Sequence, residues 1–135
     1  MADLDYAFVA DFARVDPNGT LTAVGASWTH AWVHDVPAAI RLAVAGRMRL
    51  QETEQAIPMR IEMANSSGEL LVGTNFELSR STNSVPYRDG RVGILFAVNA
   101  VVPVTEIGLV HIGVLAQDLK LRDLYFEVLK RDPFQ

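Results

Sequence analysis

Apolar and polar residues alternate along most of the chain, and clusters of turn-forming residues interrupt the alternation every ten to fifteen positions. A period of two is typical of β-strands with one face in a core. The pattern predicts eight strands, at about residues 6–12, 20–33, 41–50, 59–64, 70–78, 91–102, 108–116 and 119–129. We expect one domain over residues 1–135, an antiparallel β-sandwich of immunoglobulin-like or C2-like type, with a partly closed barrel as the alternative.

The clearest amphipathic strand is 41–50. Its even-numbered residues from Leu42 to Leu50 are apolar or glycine, and the odd-numbered residues from Arg41 to Arg49 are arginine and alanine. This predicts a sheet with one face toward solvent. We expect the arginines to form ion pairs with nearby glutamates across strands.

Two predicted strands change their buried face partway. Apolar positions move from odd to even numbers at Gly25 within 20–33, and again near Arg122–Asp123 within 119–129. A β-bulge inserts one residue and so produces this change of face. We predict a bulge at each place.

Two strands, 91–102 and 108–116, are apolar on both faces. In a two-layer sandwich one face of each sheet meets solvent, so something must cover the second apolar face. We predict a homo-oligomer interface there, with the alternative that the loop 79–90 or barrel closure covers it within the chain. The predicted interface residues are Leu95, Ala97, Val101, Leu109, His111 and Leu115.

Residues 28–35 read W-T-H-A-W-V-H-D and contain both tryptophans of the chain. The spacing of His30 and His34 suits a shared metal ion only on a helix. On a strand these histidines lie roughly 13 Å apart, which is too far for one ion. The neighbouring residues are strand formers, so we predict no metal site.

Trp28, His30 and Trp32 share one face of an unbroken strand. Their first interpretation is structural, with both indole rings turned into the core. The other is an aromatic ledge that stacks on a sugar or a base. An enzyme site built from His30, His34 and Asp35 is a third and weaker reading.

Composition removes several classes of function. The net charge is −4 and there is no cysteine, which argues against a nucleic-acid-binding surface, disulfides, thiolate catalysis and thiolate metal sites. The start of the chain is acidic and no apolar run approaches the length needed to span a bilayer, so we expect a cytoplasmic protein that does not contact membranes. No motif indicates a cofactor.

Several short segments resemble a family of small, functionally uncharacterised proteins common in actinobacteria. They are D-Y-A-F-V-A-D at 5–11, N-G-T-L at 18–21, V-G-A-S-W at 24–28 with Pro37 downstream, G-L-V-H-I-G-V-L from 108 and L-K-L-R-D-L-Y-F-E-V from 119. The resemblance implies an all-β sandwich and supplies no activity, cofactor or catalytic residue. The two-sided apolar strands and the absence of a catalytic constellation predict a non-enzymatic protein-interaction or assembly module. A small-ligand or carbohydrate-binding protein is the alternative.

Overall fold

The computed structural model describes residues 2–81 and 84–131, and this part of the chain forms ten β-strands and no helix. The strands are β1 (Asp3–Ala10), β2 (Phe12–Val15), β3 (Leu21–Val24), β4 (His30–Val33), β5 (Ala38–Leu50), β6 (Ala56–Ala64), β7 (Leu70–Ser79), β8 (Val92–Val104), β9 (Gly108–Ala116) and β10 (Leu119–Lys130). The described ranges therefore contain no helix with the length and apolar character that crossing a membrane requires.

The strands form three sheets, with the orders β1-β5-β8, β4-β10-β9-β6-β7 and β2-β3. Neighbouring strands are antiparallel except β4 and β10, which are parallel. One hydrophobic core draws on both larger sheets, and its fully buried members include Leu42, Met48, Ile61, Ile112 and Phe126. The prediction of an all-β fold is confirmed. The strand count and the single antiparallel arrangement differ, because the described chain has ten strands, three sheets and one parallel pair.

The middle of β5 is buried on both faces, so the predicted solvent-facing side is wrong there. Ala43 and Ala45 are fully buried because Ala13 of β2 packs on them. Alanine allows this close approach of one strand over another. Asn99 of β8 holds β2 in place: its Nδ2 donates to the Ala13 carbonyl at 2.8 Å, and its Oδ1 accepts from the Ala13 N–H at 3.4 Å.

The predicted bulges have different outcomes. Near Arg122 the prediction is confirmed, since the register of β10 against β9 shifts between Lys120 and Arg122. At Gly25 it is wrong, because the strand ends and the chain leaves the β2–β3 ribbon for another sheet. Gly25 and Ser27 have φ angles of 62° and 68°, which belong to the left-handed region and not to an extended strand.

The predicted loop 79–90 includes residues 82 and 83, which lie outside the described residues. In its later part, Tyr87 packs on the outer side of the three-stranded sheet. The guanidinium of Arg47 lies 5.5 Å from the Tyr87 ring and 5.1 Å from the Tyr6 ring, and Arg47 is also ion-paired with Asp5. The loop therefore covers one end of this outer face, while β2 covers the middle.

Candidate functional site

The six predicted interface residues do not form one surface. Three of them, Leu95, Ala97 and Val101, lie on β8 in the three-stranded sheet, whereas the other three lie on β9 in the five-stranded sheet. The prediction requires strands that are adjacent in sequence to be adjacent in one sheet. The chain instead crosses from one sheet to the other between β8 and β9.

The β8 half of the predicted set is mostly covered by the chain itself. Ala97 packs beside the buried cluster of Ala13, Ala43 and Ala45. Leu95 is half-buried and lines a cleft between the turn at 15–19 and the start of the 79–90 loop. Val101 stays 57% exposed. The alternative of cover within the chain thus describes this half better than a subunit interface does.

The β9 half lies on the outer side of the five-stranded sheet. Buried Val110, Ile112 and Val114 face the core, so the odd-numbered residues Leu109, His111 and Leu115 face outward. On β10 the buried positions Phe126 and Val128 likewise turn Tyr125 outward. This strand geometry is the reason for the exposed apolar surface described next.

We call the group Trp32, Leu109, His111 and Tyr125 the aromatic face. His111 and Tyr125 are register partners with ring centroids 5.0 Å apart. Leu109 pairs with Glu127, which in turn pairs with His30 of β4, so the face continues to the β4 edge. The exposed fractions of Trp32, Leu109 and Tyr125 are 51%, 46% and 53%. The sheet therefore presents large apolar side chains to solvent on its outer side.

A small polar network fixes His111 within this face. Its Nε2 contacts the Oδ1 of Asp123, and the Nζ of Lys120 lies 3.1 Å from the same oxygen. The hydrogen bonds from His111 and then Lys120 lower the pKa of Asp123. Because an ionised carboxylate orients the imidazole, the ring is held against Tyr125 instead of rotating freely.

The residues of the predicted ledge do meet at one place, but they are not all in the core. Trp28 is half-buried and packs edge-to-face on Phe126, with ring centroids 5.1 Å apart. Trp32 points outward and stacks with His30 at 6.5 Å. The expectation that both indole rings turn inward is wrong for Trp32. Trp28 precedes β4, so residue parity along an unbroken strand does not relate the two rings.

Trp28, His30 and Trp32 line a cleft of about 480 Å³. Asp11 and Arg41 line the same cleft, and sequence reasoning missed both as partners of the tryptophans. Arg41 belongs to the arginine-bearing side of β5, and Asp11 follows β1. They come together only through the packing of the sheets, which no local signal reveals.

Arg41 differs from the other arginines of its strand. Arg47 is ion-paired with Asp5, and the Arg49 Nη2 lies 3.8 Å from an Asp89 carboxylate oxygen. Arg47 therefore pairs across strands, although with an aspartate of β1 and not with the expected glutamates, while Asp89 lies in a turn. Among residues 2–81 and 84–131, neither Arg41 nor Asp11 has an ion pair or a side-chain hydrogen bond. The cleft therefore contains one cation and one anion that are both available to a ligand.

The three residues of the predicted enzyme site, His30, His34 and Asp35, lie in different environments. The Nδ1 of His30 lies 2.8 Å from the Thr29 hydroxyl, and its Nε2 lies 3.9 Å from a Glu127 carboxylate oxygen. Asp35 lies 3.7 Å from Lys130, and His34 is exposed in the bend after β4. No group of three or more histidine, aspartate or glutamate side chains in the described ranges is placed to hold a metal ion.

The structure is similar to parts of two larger proteins. The alkylpurine DNA glycosylase AlkC of Pseudomonas fluorescens, bound to DNA containing an abasic site analog, matches with a TM-score of 0.48 and 12% identity; the match covers 94% of this chain and 30% of that one. A family 123 glycoside hydrolase from Clostridium perfringens matches with a TM-score of 0.35 and 12% identity, covering 94% and 27%. The chain thus spans less than a third of either protein, and similarity at this level carries nothing about activity.

No protein-family model and no curated protein sequence matches the chain. The resemblance to small actinobacterial proteins stays a prediction.

Proposed function

We propose that this chain is a non-enzymatic, cytoplasmic β-sandwich protein that self-associates through the outer face of its five-stranded sheet. The observation that supports this proposal is the aromatic face, where Trp32, Leu109 and Tyr125 are each about half exposed on one side of one sheet. Contiguous exposed apolar patches mark contact surfaces, and tryptophan and tyrosine are enriched in the centres of interfaces.

The size of this outer face suits a stable dimer. The sheet has five strands, and its central strands β6 and β9 are nine residues long. With strands about 4.8 Å apart and residues about 3.3 Å apart, the face measures roughly 24 by 30 Å, or about 700 Å². A standard interface buries about 800 Å² per partner, so two such faces in contact fall in the usual range.

The chemistry of the face also suits pairing with a second copy. The aromatic face lies at one end of the sheet, and the other end bears charges of both signs, including the pair Arg60–Glu62. A two-fold axis through the aromatic face would bring Trp32, Leu109 and Tyr125 of two copies together, with Glu127 and the Asp123–Lys120 pair beside them and the Arg60–Glu62 end as a rim. A closed dimer of this kind removes from water the side chains that the monomer leaves exposed.

Sedimentation velocity and light scattering over a range of protein concentrations test the proposal. We expect the parent protein to dimerise at micromolar concentration and Leu109→Glu to be monomeric. A buried carboxylate without a partner opposes association strongly. The matched control is Val101→Glu, which introduces the same charge at a residue that is 57% exposed on the other large sheet.

Far-ultraviolet circular dichroism and thermal unfolding establish that both variants fold, since each changes an outward-facing residue. A dimer that survives Leu109→Glu but dissociates with Val101→Glu contradicts the proposed face. A parent protein that stays monomeric at the highest concentration tested contradicts self-association altogether.

A further inference from the structure

The cleft beside β4 extends beyond the two tryptophans. A second depression of about 310 Å³, lined by Phe12 and Val101 among others, shares Asp11 and Arg41 with the first. The two depressions form one groove, with an apolar or aromatic part at each end and a carboxylate and a guanidinium between them. Asp11 sits close over Gly25, where any side chain would overlap its carboxylate.

The charges in the groove restrict the kind of ligand. An anion would meet the Asp11 carboxylate, and a cation would meet the Arg41 guanidinium. Since neither side chain has an ion pair within the described residues, both can bond to a neutral ligand that donates to one and accepts from the other. A purely apolar ligand would leave both charged groups without hydrogen bonds, which is costly.

The tryptophans give the groove a flat apolar surface against which a ligand can pack. Trp32 is 51% exposed although the Arg131 guanidinium lies 4.8 Å from its ring centroid. Trp28 is half-buried and offers part of a second indole surface, while its Nε1 is itself buried and has no hydrogen-bond partner among the described residues. Indole rings bind ligands that combine a flat apolar surface with polar groups at the edge.

We propose that this groove binds a neutral carbohydrate, with a sugar ring against the tryptophans and neighbouring hydroxyls bonded to Asp11 and Arg41. Sugar hydroxyls both donate and accept, and the C–H face of the ring is apolar, so one ligand satisfies all four side chains. The groove shares Trp32 with the aromatic face, so sugar binding and the proposed self-association would compete for that ring, whereas Asp11, Arg41 and Trp28 lie outside the aromatic face.

Nuclear magnetic resonance provides a direct test, because the chain has two tryptophans and both line the groove. The ¹⁵N-labelled protein is titrated at millimolar concentration with cellotetraose, xylotetraose, maltotetraose and chitotetraose. We expect at least one of them to shift the indole N–H resonances saturably. Arg41→Ala and Asp11→Asn should each weaken that binding about tenfold or more, since each removes hydrogen bonds to a charged group.

The matched control is Arg122→Ala, which removes an exposed arginine of β10 and should leave the affinity unchanged. The titration is repeated on Leu109→Glu, so that a change in self-association is separated from a change in sugar binding. The proposal is overturned if none of the four sugars shifts the indole resonances, or if binding survives both groove substitutions. It is also overturned if sulfate or spermine saturates the same resonances at lower concentration than any of the sugars.

Discussion

The side chain of Asn99 substitutes for a neighbouring strand, and its removal should loosen the β2–β3 ribbon. Ala13 pairs with Ala23 of β3, while its own N–H and carbonyl point toward Asn99. Ala13 is fully buried, whereas Asn99 is exposed, so water that enters when the amide is lost restores only part of its hydrogen bonding. The contact at 2.8 Å is a normal hydrogen bond and the one at 3.4 Å is weak.

We expect Asn99→Ala to destabilise the protein by about 1 to 3 kcal/mol, which is the cost of leaving a buried backbone group unsatisfied. For a chain of 135 residues this corresponds to a fall in Tm of about 4 to 10 °C. Asn99→Asp should cost as much at neutral pH, since it replaces the donor with a charged acceptor facing the Ala13 carbonyl. Acidification should recover part of that loss, because a protonated carboxyl can donate.

Thermal unfolding and hydrogen exchange measured by mass spectrometry check this prediction. Exchange should accelerate in β2 and β3 before it does so in the larger sheets, because the ribbon can separate while the main core stays intact. Asn75→Ala is the control, since within residues 2–81 and 84–131 its side chain bonds only to Arg60, on the exposed surface. Unchanged Tm and unchanged exchange in both Asn99 variants would refute the view that this amide holds the ribbon.

Three further substitutions test the packing and the turns. Gly46→Ala should destabilise by about 1 to 3 kcal/mol in urea unfolding, since its methyl group would overlap a backbone carbonyl of β1, whereas Gly113→Ala makes only ordinary contacts and should be tolerated. Phe126→Ala should cost about 3 to 5 kcal/mol and shift the emission of Trp28 to the red, and an unchanged spectrum would contradict their contact. Glu106 accepts hydrogen bonds from Ser66 and Ser67 in the turn before β7, and these bonds lower its pKa. Glu106→Gln should therefore be less stable than the parent protein at neutral pH. In thermal scans this difference should vanish as the pH falls through the lowered pKa.

The alternation of apolar residues predicts strands well where both ends carry clear turn signals. The strand predicted at 108–116 coincides with β9, and its buried residues, apart from Gly113, are those of one parity. Alternation states which residues share a face, but it does not state which strand lies beside another. The pattern therefore assigns Leu95 and Leu109 to one surface, although their strands belong to different sheets.

The parity rule also fails where a strand is interrupted. The parity argument puts Trp28 and Trp32 on one face by treating residues 28–34 as an unbroken strand. β4 begins only at His30, so Trp28 lies outside the strand and the two rings have different environments. The sequence does not predict that Asp11 and Arg41 line one cleft. Their proximity depends on how the β2–β3 ribbon and β4 pack against β5.

The parallel pairing of β4 with β10 has a consequence for the growing polypeptide on the ribosome. In the described part of the chain β4 has no other sheet neighbour, and its partner residues in β10 run from Glu127 to Lys130. Translation proceeds at about 5 to 20 residues per second, so His30 to Val33 emerge several seconds before the strand that completes their hydrogen bonds. During that interval Trp32 and its short strand are open to chaperones or to other nascent chains. The five-stranded sheet can close only after β10 has left the ribosome.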